Sequence, residues 1–370
     1  MRSMDRFKGC LRGGAIGDAL GYTVEFKREA EIFDQFGPAG ITRYEPVGGR
    51  ARISDDTQMT LFTAAGLLYG QAQGILYAPG EDNLSCIRQS YLDWYATQTR
   101  SYPLPENERR TSWLLNRGEL FARRAPGTTC MSALQLGGHG TMEQPVNNSR
   151  GCGGVMRVAP IGLFFIDCTE WSPGEAALLG ARAAAVTHGH ELGYLPAAAL
   201  VHIVWSLASG EQTDVLSAVR AALDAMPGLF PKAKHMEDFL SIMEESVRLS
   251  RDDIDDLSAI HRLGGGWVGD EALAIAVYCV LKYSDHFEKA MVASVNHSGD
   301  SDSTGAVAGN ILGALLGYDA LPEFFLRDLE LKDVLLEVAE DLCSEAPQRV
   351  RYCDICTTQR GFQDNQPGCV

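Results

Sequence analysis

Gly13, Gly17 and Gly21 recur every four residues, and so do Gly305, Gly309, Gly313 and Gly317. Residues four apart in an α-helix stand one above the other, so each set makes a stripe without side chains along one helix face. A glycine inside a helix costs roughly 1 kcal/mol relative to alanine. Several on one helix need a compensation, and close approach of a second backbone supplies one. The two stripes are therefore expected to pack tightly within the core, against each other, which would tie the start of the chain to its last third. The competing reading is coincidence in a chain with 39 glycines.

The remainder of the chain is also read as helical. Apolar periodicity predicts helices over 8–21, 58–70, 84–96, 174–187, 194–209, 214–225, 236–249, 270–283, 303–317 and about 332–343. Alternating β-branched runs are scarce. The segment 159–166 is the nearest to a strand and reads equally well as buried helix. The fold class is all-α. No linker or repeat interrupts 1–351, which reads as one domain, with 352–370 as a weakly periodic tail. Loops rich in Gly, Pro and polar residues are expected at 36–54, 97–111 and 125–154, and loops of that length are usually functional or disordered.

Apolar residues make up 45% of the chain, a globular composition. The net charge of −16 argues against a nucleic-acid surface, which needs a basic patch. No secretory h-region opens the sequence and no uninterrupted apolar run reaches bilayer length. The ten cysteines are thus expected to be reduced thiols in a cytoplasmic, soluble, monomeric protein. Cys353 and Cys356 form a C-x₂-C pair, but Cys369 offers only a third ligand, so no zinc site is expected.

Two acidic clusters precede helices: Ser54-Asp55-Asp56-Thr57, and Asp300-Ser301-Asp302-Ser303-Thr304 before the second glycine helix. Helix capping explains one or two such residues at each place. Grouped carboxylates repel one another unless a cation is shared, and hard oxygen ligands of this type suit Mg²⁺, Mn²⁺ or Ca²⁺. An EF-hand is excluded because no closing Glu follows at the right spacing.

Seven segments in order resemble the ADP-ribosylglycohydrolase family, and its bacterial branch most. They are GCLRGGAIGDALGYTVEF (9–26), SDDTQMT (54–60), RAPGTTCMSAL (124–134), GCGGVMRVAPIGL (151–163), THGH (187–190), GGGWVGDEALAIAVYC (264–279) and NHSGDSDSTGAVAGNILGALLG (296–317). The resemblance implies a compact, orthogonal all-α domain with two divalent cations, Mg²⁺ or Mn²⁺, in a cleft. It implies Ser54, Asp55 and Asp56 as one ligand set and Asp300, Asp302 and Ser303 as the other. Ser54 and Ser303 stand where many members have threonine, and each keeps the hydroxyl. Glu25 falls where members place an acidic residue near the site. Gly151, Cys152, Gly153, Gly154 and Met156 match a segment lying against ADP-ribose, and His188 or His190 matches a histidine near the adenosine end or the cleft.

The reaction implied is cleavage of the bond from C1 of the distal ribose to a modified side chain, through an oxocarbenium-like transition state. A binuclear centre would orient a water and lower its pKa. Glu25 and Asp302 are the candidate catalytic groups. Asp18 is read either as support behind the ligands or as a buried structural acid. The N–H groups of Gly151, Gly153 and Gly154 are open to a pyrophosphate because no Cβ intervenes. Arg157 either adds charge there or pairs internally, and Cys152 is read as small packing and not as a nucleophile. ADP-ribosyl-arginine on a protein is the favoured substrate, with ADP-ribose as product and loops 36–54 and 97–111 expected to read the leaving group. The alternatives are an immunity protein acting on or blocking a toxin ADP-ribosyltransferase, or a hydrolase of ADP-ribosyl-serine or O-acetyl-ADP-ribose.

Overall fold

In a computed structural model of the chain, which describes residues 2–75, 79–105 and 111–344, the two glycine stripes face each other. The first lies on α1 (Met4–Gly21), and the second on a helix numbered α14 below (Ser301–Leu316). A Cβ added at Gly13 would meet the Gly309 carbonyl oxygen at 2.3 Å, one at Gly17 the Gly305 oxygen at 1.9 Å, and one at Gly21 the Ser301 oxygen at 2.2 Å. Gly9 extends the row, its Cβ position falling 2.3 Å from the Gly313 oxygen. As the number rises on one helix it falls on the other, so the pair is antiparallel with backbone directly against backbone.

Between these partners the chain adds α2 (Glu29–Phe36), α3 (Asp55–Ala72), α4 (Glu81–Thr99), α5 (Thr128–Gln135), α6 (Ala159–Phe164), α7 (Pro173–Ala185) and α8 (Glu191–Ser209). Then follow α9 (Val215–Leu229), α10 (Met236–Leu249), α11 (Asp256–Leu263), α12 (Gly269–Lys282) and α13 (Phe287–Val295). After α14 come α15 (Glu323–Asp328) and α16 (Lys332–Cys343). Among the described residues there is no strand, only isolated bridges such as Gly151 with Val268. The ambiguous 159–166 segment is helical over its first six residues. The short helices α2, α11, α13 and α15, and α5 inside the expected 125–154 loop, were not anticipated. The tail with Cys353, Cys356 and Cys369 lies outside the described residues.

Sequence chemistry accounts for the helix ends. Ser3 caps α1, its hydroxyl accepting from Arg6 N, so the helix starts at Met4 and not at residue 8. Ser172 and Glu175 form a capping box on α7, with Pro173 at the first helical position. Gly210 ends α8 in the left-handed conformation with φ 82°. Helix α8 is apolar along most of its length. Its mean hydropathy of 1.5 and its length would suit a bilayer, although Pro196, His202 and Ser206 interrupt it. It is 94% buried inside the protein, with α6, α7, α9, α12 and α14 packed around it, and serves as the central core helix.

The antiparallel ridge has one consequence for function. It sets the last turn of α1 beside the first turn of α14, so the chain leaving α1 passes the start of the second acidic cluster.

Candidate metal centre

Three chain segments meet where α1 ends. Asp18, fully buried on α1, accepts from Ser54 N at 2.9 Å, from Thr57 N at 3.1 Å and from the Thr57 hydroxyl. These bonds hold the first turn of α3, and with it Asp55 and Asp56, against α1. Ser54 caps α3: its hydroxyl accepts from Asp56 N at 3.2 Å and donates to Asp56 Oδ2 at 3.3 Å. Asp300 caps α14 in the same manner, accepting from Ser303 N. The two acidic clusters are joined directly, because the Ser303 hydroxyl donates to Asp56 Oδ1 at 2.9 Å. Asp18 thus stands behind the turn that carries Asp55 and Asp56.

The meeting point is a cavity of about 200 Å³ lined by Glu25, Asp55, Asp56, Asp300, Asp302 and Ser303. Ser54 stands just behind this lining. Glu25, in the turn after α1, offers one oxygen that lies within 4.8 Å of an oxygen from each of Asp300 and Asp302. Its Oε2 is buried with no hydrogen-bond partner among the described residues. Among the described residues, no Lys or Arg lines the cavity.

The electrostatics follow from that composition. Burial, then the charges of Asp302, Asp300 and Asp55, push the Glu25 carboxyl up to about 11. Burial and Asp302 push Asp18 up to about 7, against hydrogen bonds from Thr57 and Ser54. Burial and the charge of Asp302 raise Asp55 and Asp56 well above the usual carboxylate range, and burial and Asp300 do the same to Asp302. Asp300 is also raised by burial, although Cys152 and Ser303 donate to it. Five buried carboxylates around one space, with no Lys or Arg among the described residues that line it, lack a counter-charge there. The unpartnered Glu25 oxygen and the all-oxygen donor set fit hard divalent cations such as Mg²⁺ or Mn²⁺. The residues placed to hold them are Asp55, Asp56, Asp300, Asp302 and Ser303, with Glu25 grouped beside Asp300 and Asp302.

The ADP-ribosylglycohydrolase family profile matches residues 1–351. The chain belongs to the ADP-ribosylglycohydrolase family. It is 26% identical over 336 residues to the ADP-ribosyl-[dinitrogen reductase] glycohydrolase of Rhodospirillum rubrum, covering 89% of this chain and 91% of that protein. It is 24% identical to the ADP-ribosylarginine hydrolase Tri1 of Pseudomonas putida, over 94% of this chain and 80% of that one. It is 22% identical to human ADP-ribosylhydrolase ARH3, over 89% and 90%. A solved structure titled "ADP-ribosylglycohydrolase-related protein complex" shares the fold, with a TM-score of 0.56 at 24% identity over 92% of this chain and 96% of that chain.

In this family member the cavity's other wall comes from Gly151, Cys152, Gly153, Met156 and His188. The Cys152 thiol does more than pack: it donates to Asp300 Oδ2 at 2.7 Å. Burial and the charges of Asp300 and Asp56 raise this thiol well above its ordinary value, which keeps it from acting as a nucleophile. Two of the N–H groups in this segment are already engaged, Gly151 with the Ser149 hydroxyl at 3.3 Å and Cys152 with the Trp267 carbonyl at 3.2 Å. Gly154 does not line the cavity. It is small because α8 presses on it, the Gly193 oxygen lying 2.5 Å from where a Cβ would be.

The two histidines separate. His188 lines the cavity, its Nδ1 paired with the Thr187 hydroxyl at 2.9 Å, and burial beside Arg157 holds it down at about 3, hence neutral. His190 lies outside the lining and caps α8, accepting from Leu192 N. Arg157 pairs internally. Its guanidinium donates to the Ala183 carbonyl at 3.0 Å and the Thr187 hydroxyl at 2.7 Å, and sits over the Tyr91 ring at 4.4 Å.

Neither 36–54 nor the described part of 97–111 lines the cavity. The walls missed in the sequence are Ala125, Gly127, Thr128, Thr129 and Cys130 around the start of α5, and Trp267. Ala125 adopts φ 54°, a conformation that costs a non-glycine residue about 1–2 kcal/mol. The matched segments 124–134 and 264–279 held these residues, and their glycines signalled close approach without saying to what.

Proposed function

We propose that this chain is a hydrolase that releases ADP-ribose from modified protein side chains, with arginine as the acceptor and two divalent cations, Mg²⁺ or Mn²⁺, in the carboxylate cavity. One observation carries the reading: Glu25, Asp55, Asp56, Asp300 and Asp302 surround a single cavity lined by no Lys or Arg among the described residues. The names of the Rhodospirillum and Pseudomonas relatives support ADP-ribosyl conjugates, and the latter supports arginine.

When bound, the cations would polarise ribose oxygens and make a water more acidic. The protein's own groups supply the remainder. Asp18 fixes the turn that carries Asp55 and Asp56, so two ligands need no reorganisation. Ser303 bridges the two clusters through Asp56. Once cations offset the carboxylate charges that raise it, Glu25, whose Oε2 has no hydrogen-bond partner among the described residues, is placed to take the proton of an attacking water and return it to the departing nitrogen. Neutral His188 and the Gly151–Gly153 backbone give the substrate a polar wall without added charge.

The test is release of ADP-ribose, followed by mass spectrometry, from peptides ADP-ribosylated on arginine or serine and from ADP-ribosylated nucleic acid. The expected result is Mg²⁺- or Mn²⁺-dependent release from arginine, abolished by EDTA and reduced at least about 100-fold in Asp302→Ala. No release from any substrate with either cation would overturn the enzyme reading. Faster release from serine would overturn the choice of acceptor alone.

A further inference from the structure

A second cavity, of about 390 Å³, opens between α4, α7 and the turn that follows α5. Its lining includes Arg88 of α4, Arg182 of α7, and Ser85, His139, Thr141 and Glu143. The turn is firmly built. Gly137 and Gly138 take φ 91° and 61°, and their N–H groups donate at 2.9 Å to the Leu134 and Ala133 carbonyls. Gly140 lies so close to the Ala185 and Val186 carbonyls that a Cβ would stand 2.4 and 2.9 Å from them.

The charges in this cavity are unusual for the chain. Arg88 is held along the wall, Nε donating to the Gly137 carbonyl at 3.0 Å and Nη2 to His139 Nε2 at 3.4 Å. Those two bonds leave other guanidinium N–H groups available. Arg182 is half-buried, and its guanidinium makes no hydrogen bond or ion pair among the described residues. Among the described residues, Glu143 is the single acid in the lining, and it pairs with neither arginine. In a chain of net charge −16, a preformed hollow with two arginines and one acid reverses the prevailing sign. An unpaired guanidinium inside a cavity is a planar fork suited to a phosphate, and the volume falls in the usual range of small-ligand pockets, about 300–1,000 Å³.

The geometry points to a second ligand site here, for a small diphosphate-bearing anion held between Arg88 and Arg182. The diphosphate is either inorganic or part of a nucleotide. The site shares walls with the carboxylate cavity: α5 gives Thr128, Thr129 and Cys130 to that cavity and its C-terminal turn to this one. Val186 lines this cavity, and His188 two residues later lines the other.

The test is isothermal titration of the EDTA-treated full chain with pyrophosphate, ADP and adenosine. Pyrophosphate is expected to bind at one site, and Arg182→Gln to weaken it about tenfold or more, the loss of one charge-assisted fork. Asp302→Ala, in the other cavity, is expected to leave it unchanged. Because Arg182 has no partner to lose, its variant should keep the wild-type melting temperature. Arg88→Gln, with the same loss of binding, guards against an indirect effect. ADP tighter than pyrophosphate, with the difference lost in Arg182→Gln, would support the site and mark the nucleotide as its source. Equal affinities would support it with the diphosphate alone as ligand. No binding of pyrophosphate, or equal binding by wild type and Arg182→Gln, would overturn the proposal.

Discussion

Replacing Gly309 by alanine tests the glycine ridge, because two physical effects there have opposite signs. Helix propensity alone makes the substitution stabilising by roughly 1 kcal/mol. The new Cβ, however, would stand 2.0 Å from the Gly13 carbonyl oxygen and 2.5 Å from its carbonyl carbon. That is roughly 1.5 Å short of contact at about 3.5 Å. Both contacts are backbone, so no side chain can rotate away, and α1 and α14 must separate. Overpacking of a core typically costs about 1–3 kcal/mol, and sometimes more. A rigid backbone clash belongs at the upper end, so the net loss after the propensity gain is about 2 kcal/mol. The internal control is Gly228→Ala on α9, where nothing lies within 4 Å of the added Cβ and only propensity acts. Urea unfolding of both variants and of Gly13→Ala would measure the difference. Gly309→Ala and Gly13→Ala should each destabilise, and together they should cost less than their sum, because helices already pushed apart leave room for the second methyl. If Gly309→Ala is as stable as wild type while Gly228→Ala behaves as expected, the close-packed ridge is wrong.

The other expectations concern the site and its surroundings. His188 and His297 are held down by burial, at about 3 and about 4, below the unfolded value of about 6.5. The fold favours their neutral forms, so their contribution to stability is complete above about pH 6.5 and falls as the pH drops toward those values. His188→Gln should therefore flatten the acid side of the stability–pH profile relative to wild type, and an unchanged slope would show that this histidine is not buried neutral. Cys152, though it lines the cavity, should resist iodoacetamide at neutral pH because burial and Asp300 raise its thiol. Peptide mapping that found it among the first cysteines alkylated would contradict the Asp300 hydrogen bond. Mg²⁺ should raise the melting temperature of EDTA-treated protein with a stoichiometry of two by calorimetry. A single bound ion would overturn the two-cation reading.

What could be read from the sequence divides along a physical line. The ridge was legible because a four-residue period over several turns has an energetic cost that only close packing offsets. Asp55, Asp56, Asp300 and Asp302 were legible because carboxylates exceeded what two helix caps need. Helices α2, α11, α13 and α15 were not, since six to nine residues give too few turns for a period to emerge. Trp267 and the residues around the start of α5 were not either: threonine, alanine and tryptophan carry no signature of a cavity wall, and only the approach of distant segments makes them one. The loops at 36–54 and 97–111 drew attention through length, but length reports exposure, and the cavity is instead walled by turns pinned through glycines. Cys152 shows the same limit, because its bond to Asp300 spans 148 positions in the chain.

The ridge and the site are one construction. Glycine–glycine contact lets α1 and α14 approach with no layer of side chains between them, and that closeness lets Glu25, four residues past α1, reach Asp300 and Asp302, while Asp18 on the same helix holds the start of α3 through Ser54 and Thr57. A methyl-lined interface would move the start of α14 away from the end of α1 by roughly the distance a Cβ demands, about 1.5 Å. Cation–oxygen distances tolerate only a few tenths of an ångström, so a displacement of that size would break the site even in a protein that still folded. The destabilising effect of Gly309→Ala and a weaker grip on Mg²⁺ should therefore appear together. A variant that lost stability yet kept full cation affinity would show that the acidic turns are positioned by Asp18 and Ser303 alone.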